Sequence, residues 1–476
     1  MNATSQKLPV KTKLLFGFGS IAYGVKDNGF AVFLLFYYNQ VVGMRADLVS
    51  LAIAIALFAD AFFDPLVGQL SDRTRTRLGQ RHPWIYGSAI PIAIAWLLLW
   101  HPPETSGLTQ FFYLLGTAML VRFSLSLYEV PSLALVPELT RDYHERTSVL
   151  RFRFLFGWIG GLAMMFLAYA IFLIPSEKYP VGLLNIDGYS TFAIVGAIGM
   201  VIAVFVAGAG THRRIIDAYR KTGKHPETAE SFAQMITTFR FQPFLMLLFA
   251  GVFAFASQGL IFALMPYLFA HVWEFGAREF SLYSLILFLA IFTAFLLVTP
   301  ISKWLGKPKA ASRLMLISLL AGTLPYWLRL ANVFPQNGST LLLPALFTLI
   351  VISIAAGITV MILTFSMMAD VTDAYEVDSA KRTEGLFSAG MFFMQKMVGG
   401  LGILMSGLII SIIHLPERAT PGSVEPAIVD QLTLIFAVSL TIIGLIGAWA
   451  YSLFPLSEKD HVDRLEELAA RDSFSA

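Results

Sequence analysis

Two aspartates four residues apart, Asp60 and Asp64, stand in the run Phe58-Ala-Asp-Ala-Phe-Phe-Asp-Pro65. On a helix that spacing puts both carboxylates on one face, about 6 Å apart along the axis. In apolar surroundings two like charges destabilise each other unless a cation or a proton comes between them. Oxygen ligands suit a hard cation such as Na⁺, for which Asp60 and Asp64 would be the metal ligands, and a shared proton meets the same need. Alternatively, a carboxylate pairs with a basic residue of another helix. Lys26 and Asp27 are adjacent, and about 100° apart on a helix, so their heads need not pair with each other. Gly24 and Gly29 flank them and are expected to leave room beside the helix. The two charges either meet a substrate or ion or make an interhelical salt bridge. Glu129 occurs in Tyr128-Glu-Val-Pro131, where the proline frees backbone carbonyls that a cavity or a neighbouring helix must satisfy. Arg153 offers a guanidinium fork matched to a sugar diol or a carboxylate, whereas its neighbour Arg151 is expected to snorkel. Lys396, in Met394-Gln-Lys-Met397, needs an acidic partner or a ligand acceptor, for which Glu129 and Asp27 are candidates.

These charges gain their meaning from the elements that hold them. Of 476 residues 57% are hydrophobic and only 14% charged, against about 25% charged in a soluble chain. That excludes both a string of soluble domains and a disordered chain. The fold class is an all-α membrane protein. Apolar segments long enough to cross a bilayer fall at about 14–42, 48–70, 84–101, 109–137, 152–174, 191–210, 241–271, 279–302, 312–331, 341–369, 385–414 and 428–454. The first is too long for a signal peptide and shows no clear small-residue cleavage site, so it is read as a transmembrane span. An ionisable residue at the centre of any span costs about 2.5 kcal/mol or more unless it has a partner, a cavity or a ligand.

The chain has no cysteine, which removes disulfides, thiolate metal sites and cysteine nucleophiles together. The histidines at span ends, His101, His271 and His414, are read as interfacial, and Trp84 and Trp100 as members of the aromatic belt. Gly157–Gly161 and Gly399–Gly402 are read as close helix packing.

Basic residues alternate between connections. Arg73, Arg75, Arg77 and Arg81 follow span two; Arg141 and Arg146 follow span four; Arg213, Arg214, Arg220, Lys221 and Lys224 follow span six; Lys303, Lys307, Lys309 and Arg313 follow span eight. The positive-inside rule places these even connections, and with them both termini, in the cytoplasm. The expected organisation is an N-terminal six-helix bundle over 1–210, a central cytoplasmic loop over 211–240, a C-terminal bundle over 241–456 and a cytoplasmic tail over 457–476. Two bundles with a site between them is the usual plan for alternating access. Asp72 and Arg73 after span two, and Asp370, Asp373 and Arg382 after span ten, are expected to form gating ion pairs; the alternative is an ordinary solvated loop.

Gly68-Gln-Leu-Ser-Asp72 with Gly79-Gln-Arg-His82 resembles the signature loop of the major facilitator superfamily. The run Asp60 to Gly68, together with Arg75 to Trp84, is similar to the glycoside–pentoside–hexuronide:cation symporters, and Leu135 to Thr147 and Met368 to Tyr375 fit the same family. The resemblance runs from about Lys13 to Leu453. It implies the major facilitator fold of two pseudo-symmetric six-helix bundles. It also implies a cation site at Asp60 and Asp64, shared with Glu129, and substrate contacts by Glu129, Arg153 and Lys396. The family's sugar-binding aspartate on span one falls at Gly24, and Asp27, nearly one turn on with Lys26 beside it, is the candidate to substitute for it. A tryptophan that stacks on the sugar in the family is replaced by Leu133. Both departures argue against carrying over a galactoside preference.

The expected function is therefore cation-coupled symport, with Na⁺ or H⁺, of a glycoside or other sugar across the inner membrane. No further cofactor, no nucleic acid and a monomeric state are expected. A carrier of lysolipid or another amphiphile is the nearer alternative. A membrane-embedded enzyme using an aspartate dyad is the more distant one.

Overall fold

Lipid offers backbone groups no hydrogen-bonding partner, so apolar runs of this length must close their bonds within helices. The computed structural model, which describes residues 8–140, 143–222, 241–379 and 384–456, is built in this way. The first span is not the single helix expected over 14–42. It comprises α1 (Val10–Phe18), α2 (Ile21–Asn28), a π-helical turn at Gly29–Phe33, the short α3 (Leu34–Phe36) and a second π-helical turn at Tyr37–Val42. Gly17, Gly19 and Gly24 lower the helix preference of this stretch. Gly43 ends it with φ of +87°, a conformation that glycine adopts without strain.

Five helices complete the first half. They are α4 (Ala46–Arg73), α5 (His82–Trp100), α6 (Gly107–Leu139), α7 (Tyr143–Leu167) and α8 (Ile186–Thr222). The second half holds α9 (Gln242–Tyr267), α10 (Ala277–Leu305), α11 (Lys307–Leu330), α12 (Leu342–Ser379), α13 (Glu384–Ile412) and α14 (Pro426–Ser452). Among the described residues, eleven helical segments beyond the broken first span are long and apolar enough to cross a membrane. Large apolar side chains such as Ile90, Ile94, Phe292, Phe295 and Leu296 point outward, a surface suited to lipid rather than water.

Packing divides the chain into two compact units. The first takes the first six spans with Gly276–Ser281 and Pro416–Thr420, and the second takes the rest. The helix α8 runs to Thr222, beyond the expected span end at 210, because Ile215 is still buried there. In the same way α12 runs to Ser379 rather than 369, with Val371 and Ala374 buried. The rest of the expected central loop and the tail over 457–476 lie outside the described residues.

In the first unit α4 and α5 pack on α6, α5 on α8, and α2 on α7. Trp96, Trp100, Tyr37, Tyr189 and Phe192 form an aromatic core there. Trp100 therefore belongs to the interior, 1% exposed, and not to a belt. In the second unit α11 packs on α12 and α14, and α9 on α13. His271 is likewise buried, at 3%, in a π-helical turn at Leu268–Val272 instead of lying at an interface.

Glycines set the closest helix contacts. A Cβ on Gly24 would strike the carbonyl oxygen of Gly157 and lie 2.7 Å from the nitrogen of Gly161. One on Gly29 would strike the Trp96 ring. The room expected beside Gly24 and Gly29 is thus filled, by the α7 backbone and by an indole. Gly157–Gly161 packs closely, as the sequence suggests, and Gly402 does the same against Ala256 and Gly259 in the second unit.

Candidate functional site

The helix α4 carries Asp60 and Asp64 one turn apart, on the side that packs against α6. Arg122 and Ser126 of α6, also one turn apart, meet them. Arg122 Nη1 donates to Asp60 Oδ2 at 2.7 Å. The Ser126 hydroxyl lies 3.1 Å from Asp60 Oδ1 and 2.7 Å from Asp64 Oδ1. Both oxygens of Asp60 are thereby engaged. The ion pair is almost fully enclosed, with side chains 4% and 3% exposed. The guanidinium also stands 4.8 Å over the Phe30 ring, which the π-helical turn of the first span presents. Of the two pairings that the sequence leaves open, Asp60 makes the second: its positive partner is a basic side chain of another helix. At an effective dielectric near 20, unit charges about 4 Å apart interact by about 4 kcal/mol, so this pairing dominates the local electrostatics. A hydroxyl has one proton to donate. Ser126 therefore serves one carboxylate at a time, and the contact with the other calls for a further hydrogen.

A second cluster lies about one turn further along α6. Glu129 Oε1 is 3.8 Å from Arg153 Nη2 of α7, and Arg153 Nη1 donates to Ser132 Oγ at 3.0 Å. From α2, Tyr23 lies within the electrostatic reach of Asp27, Glu129 and Arg153. Lys26 Nζ pairs with Asp27 Oδ1 at 2.6 Å and sits 4.8 Å from the Tyr23 ring. The expectation that these neighbours need not meet is corrected here. The long lysine arm bends back along its own helix, and the pair is neither interhelical nor split. Lys26 is buried while Asp27 is 38% exposed, so the acid is the member open to a solute. Lys396 lies on α13 in the second unit, half-buried.

The residues expected from the sequence to form gates fall into two sets. Asp72 at the end of α4 pairs with Arg81, which also holds Glu138 of α6 at 3.2 Å and donates to Ser71 at 2.6 Å. A turn closed by Gly79, φ +88°, delivers Arg81 to that position. Arg73 is exposed. In the second unit Lys307 Nζ reaches both oxygens of Asp370, at 2.6 and 2.7 Å. Asp370 and Asp373 stand on α12 itself, and Arg382 lies outside the described residues.

Sequence reasoning missed Arg122, Ser126, Tyr23 and Glu138. A signal for Arg122 was present. It is an arginine deep in span four, seven residues before Glu129, hence two turns along the same face. The others carry no such mark: serine, tyrosine and a glutamate at a span end are ordinary there.

Charged clusters enclosed within bundles of apolar helices define a multi-pass membrane transporter. The chain belongs to the MFS/sugar transport protein family, whose model matches residues 15–458. It is similar to the inner membrane symporter YicJ of Escherichia coli (strain K12), 24% identical over 97% of this chain and 96% of that one. It is also similar to the isoprimeverose transporter of Lactiplantibacillus pentosus, 22% identical over 85% of this chain and 80% of that one. Among solved structures, a D-xylose-proton symporter shares the fold, with a TM-score of 0.58, 14% identity, and 94% of this chain and 97% of that one covered. The protein is a secondary transporter of the major facilitator fold, and not an enzyme.

Proposed function

We propose that this protein carries a sugar or glycoside by cation-coupled symport, H⁺ or Na⁺, through alternating access. The observation that carries this reading is the juxtaposition on α6 of two polar clusters of different kind. One, at Asp60 and Asp64, is built on the enclosed Asp60–Arg122 ion pair, with Asp64 half-buried beside it. The other, at Asp27, Glu129 and Arg153, is partly open and offers acceptors and a planar donor fork. The open cluster suits vicinal hydroxyls, which accept from a guanidinium and donate to a carboxylate. Lys396 is the corresponding substrate-binding candidate of the second unit. Relatives named for an isoprimeverose transporter and an inner membrane symporter support the substrate class and the coupling. The clusters around Arg81 and Lys307 are assigned to gating. Both termini and the basic connections face the cytoplasm, and the protein works in the inner membrane as a monomer.

Uptake into proteoliposomes of a panel of pentosides, hexosides and free sugars, with and without an imposed cation gradient, tests the proposal. In Asp64→Asn, loss of concentrative uptake with exchange partly retained supports the coupling role. Unchanged concentrative uptake in both Asp60→Asn and Asp64→Asn refutes it. If no member of the panel moves, the substrate class is wrong.

A further inference from the structure

We propose that Arg122 is a built-in counter-cation for the acid pair, so that the protein binds no alkali-metal ion there and transports without Na⁺ or Li⁺. This rests on the reading of Asp60 and Asp64 as the coupling site and narrows the ion it uses. An alkali ion at such a pair needs several carboxylate and hydroxyl oxygens turned toward one point. Here Asp60 Oδ2 is taken by Arg122 and Asp60 Oδ1 by Ser126, whose hydroxyl is also held by Asp64. The guanidinium lies against Asp60, 4% exposed and with the Phe30 ring 4.8 Å away, so it is held in place beside the carboxylate. A monovalent ion entering between the acids would meet this positive charge within a few ångströms, in surroundings that screen poorly. It would also have to displace a charge-assisted hydrogen bond at Asp60 to gain a ligand. An arginine cannot give up its charge to make way. Arg122 therefore does for the acids what a bound alkali ion would do: it offsets one of two like charges brought one helical turn apart.

The inference has a converse. Without the guanidinium, Asp60, Asp64 and Ser126 would keep their oxygens on facing turns of α4 and α6, with an uncompensated charge that an alkali ion can satisfy. Removal of Arg122 should thus create an alkali-ion site that the parent lacks.

The test is thermal unfolding of the purified full-length protein, titrated with NaCl or LiCl against choline chloride at constant ionic strength. The parent is expected to show no saturable shift. Arg122→Ala is expected to start from a lower midpoint and to recover part of it, saturably, with Na⁺ or Li⁺. Arg122→Lys, which keeps a charge in place, is expected to stay insensitive. A saturable Na⁺ or Li⁺ response in the parent overturns the proposal, as does a folded Arg122→Ala that ignores both ions. Arg122→Gln serves where the alanine variant does not fold; should neither fold, the parent's response decides alone. Counterflow of D-xylose and isoprimeverose is measured alongside in choline medium and in NaCl medium. Movement in NaCl but not in choline overturns the proposal, whereas failure of both sugars in both media counts against the sugar reading and leaves the salt titration standing, so the two failures are distinguishable.

Discussion

Gly24 offers the sharpest test of how the site is built. A Cβ added there would press on the carbonyl oxygen of Gly157, lie 2.7 Å from the nitrogen of Gly161 and 3.0 Å from the Gly157 carbonyl carbon. All three atoms belong to the backbone of α7, so no side chain can swing aside. Ordinary contact starts near 3.4 Å, and the nitrogen alone demands a separation of about 0.7 Å, the difference between 3.4 and 2.7 Å, in an interior that yields little. Overpacking of this kind costs about 1–3 kcal/mol, and backbone-to-backbone contact belongs at or above the top of that range. The damage should reach function, because α2 carries Asp27 and α7 carries Arg153. Gly24→Ala is expected to lower the thermal midpoint of the purified protein by several degrees and to cut sugar uptake at least severalfold. Gly24→Asp, which would put a carboxylate where only a hydrogen fits, is expected to fail to fold. Gly116→Ala on α6, with nothing within 4 Å of the added atom, is the control and should leave both readouts unchanged. A Gly24→Ala protein with parental midpoint and uptake would show that α2 and α7 do not meet at this point, and the account of how Asp27 and Arg153 are positioned would go with it.

Other substitutions probe the remaining contacts. Arg81→Ala strips the shared base from Asp72 and Glu138, both largely buried, and should destabilise by roughly 3–5 kcal/mol in denaturant unfolding; exposed Arg73→Ala should change stability by no more than about 0.5 kcal/mol. Glu129→Gln and Arg153→Lys should each lower sugar counterflow tenfold or more while the protein remains folded by circular dichroism, since each removes a fork or an acceptor from the open cluster. Lys307→Met leaves Asp370 without its two short bonds and should cost about 1.5–3 kcal/mol, with Lys307→Arg recovering most of the loss in the same unfolding assay.

The sequence announces the fold through the cost of charge in lipid. Apolar runs interrupted by Asp60, Asp64, Lys26, Asp27, Glu129 and Lys396 are readable because each interruption must be compensated. What compensates them is harder to read. The partner of Asp60 comes from a different helix, and only the packing of α4 on α6 selects Arg122 over the other bases of the unit. Lys26 turned to its own neighbour because a four-carbon arm can bend where backbone geometry alone suggests divergence. Gly24 shows a different limit. A missing side chain marks a hole or a close contact with equal ease, and the glycines of α7 decide for contact. The ends of α8 and α12 overran expectation because hydropathy falls at the lipid boundary, whereas a helix continues while one residue per turn, such as Ile215 or Val371, remains buried.

The two units repeat one device at corresponding places. In the first, the base opens the third span and the acid closes the fourth: Arg81 on Glu138. In the second, Lys307 opens the ninth span and pairs with Asp370 of the tenth. A base near a helix N-terminus sits at the unfavourable end of the macrodipole, so each is expected there only with a compensating acid, and in both units that acid comes from the next helix, from its last turn in α6 and from nine residues before the end in α12. The first-unit pairing ties the start of α5 to the end of α6, and the polar clusters occupy the stretch of α6 just before that end. Along that helix Arg122, Ser126, Glu129 and Ser132 recur at intervals of four, three and three residues, and so share one broad face. Ser126 grips the acids of α4, Ser132 steadies the arginine of α7, and Glu129 stands between them. One rigid element thus touches both clusters. A change of charge at the acid pair can bias the partly open cluster through α6 itself, which carries the two about one turn apart, without any longer chain of contacts.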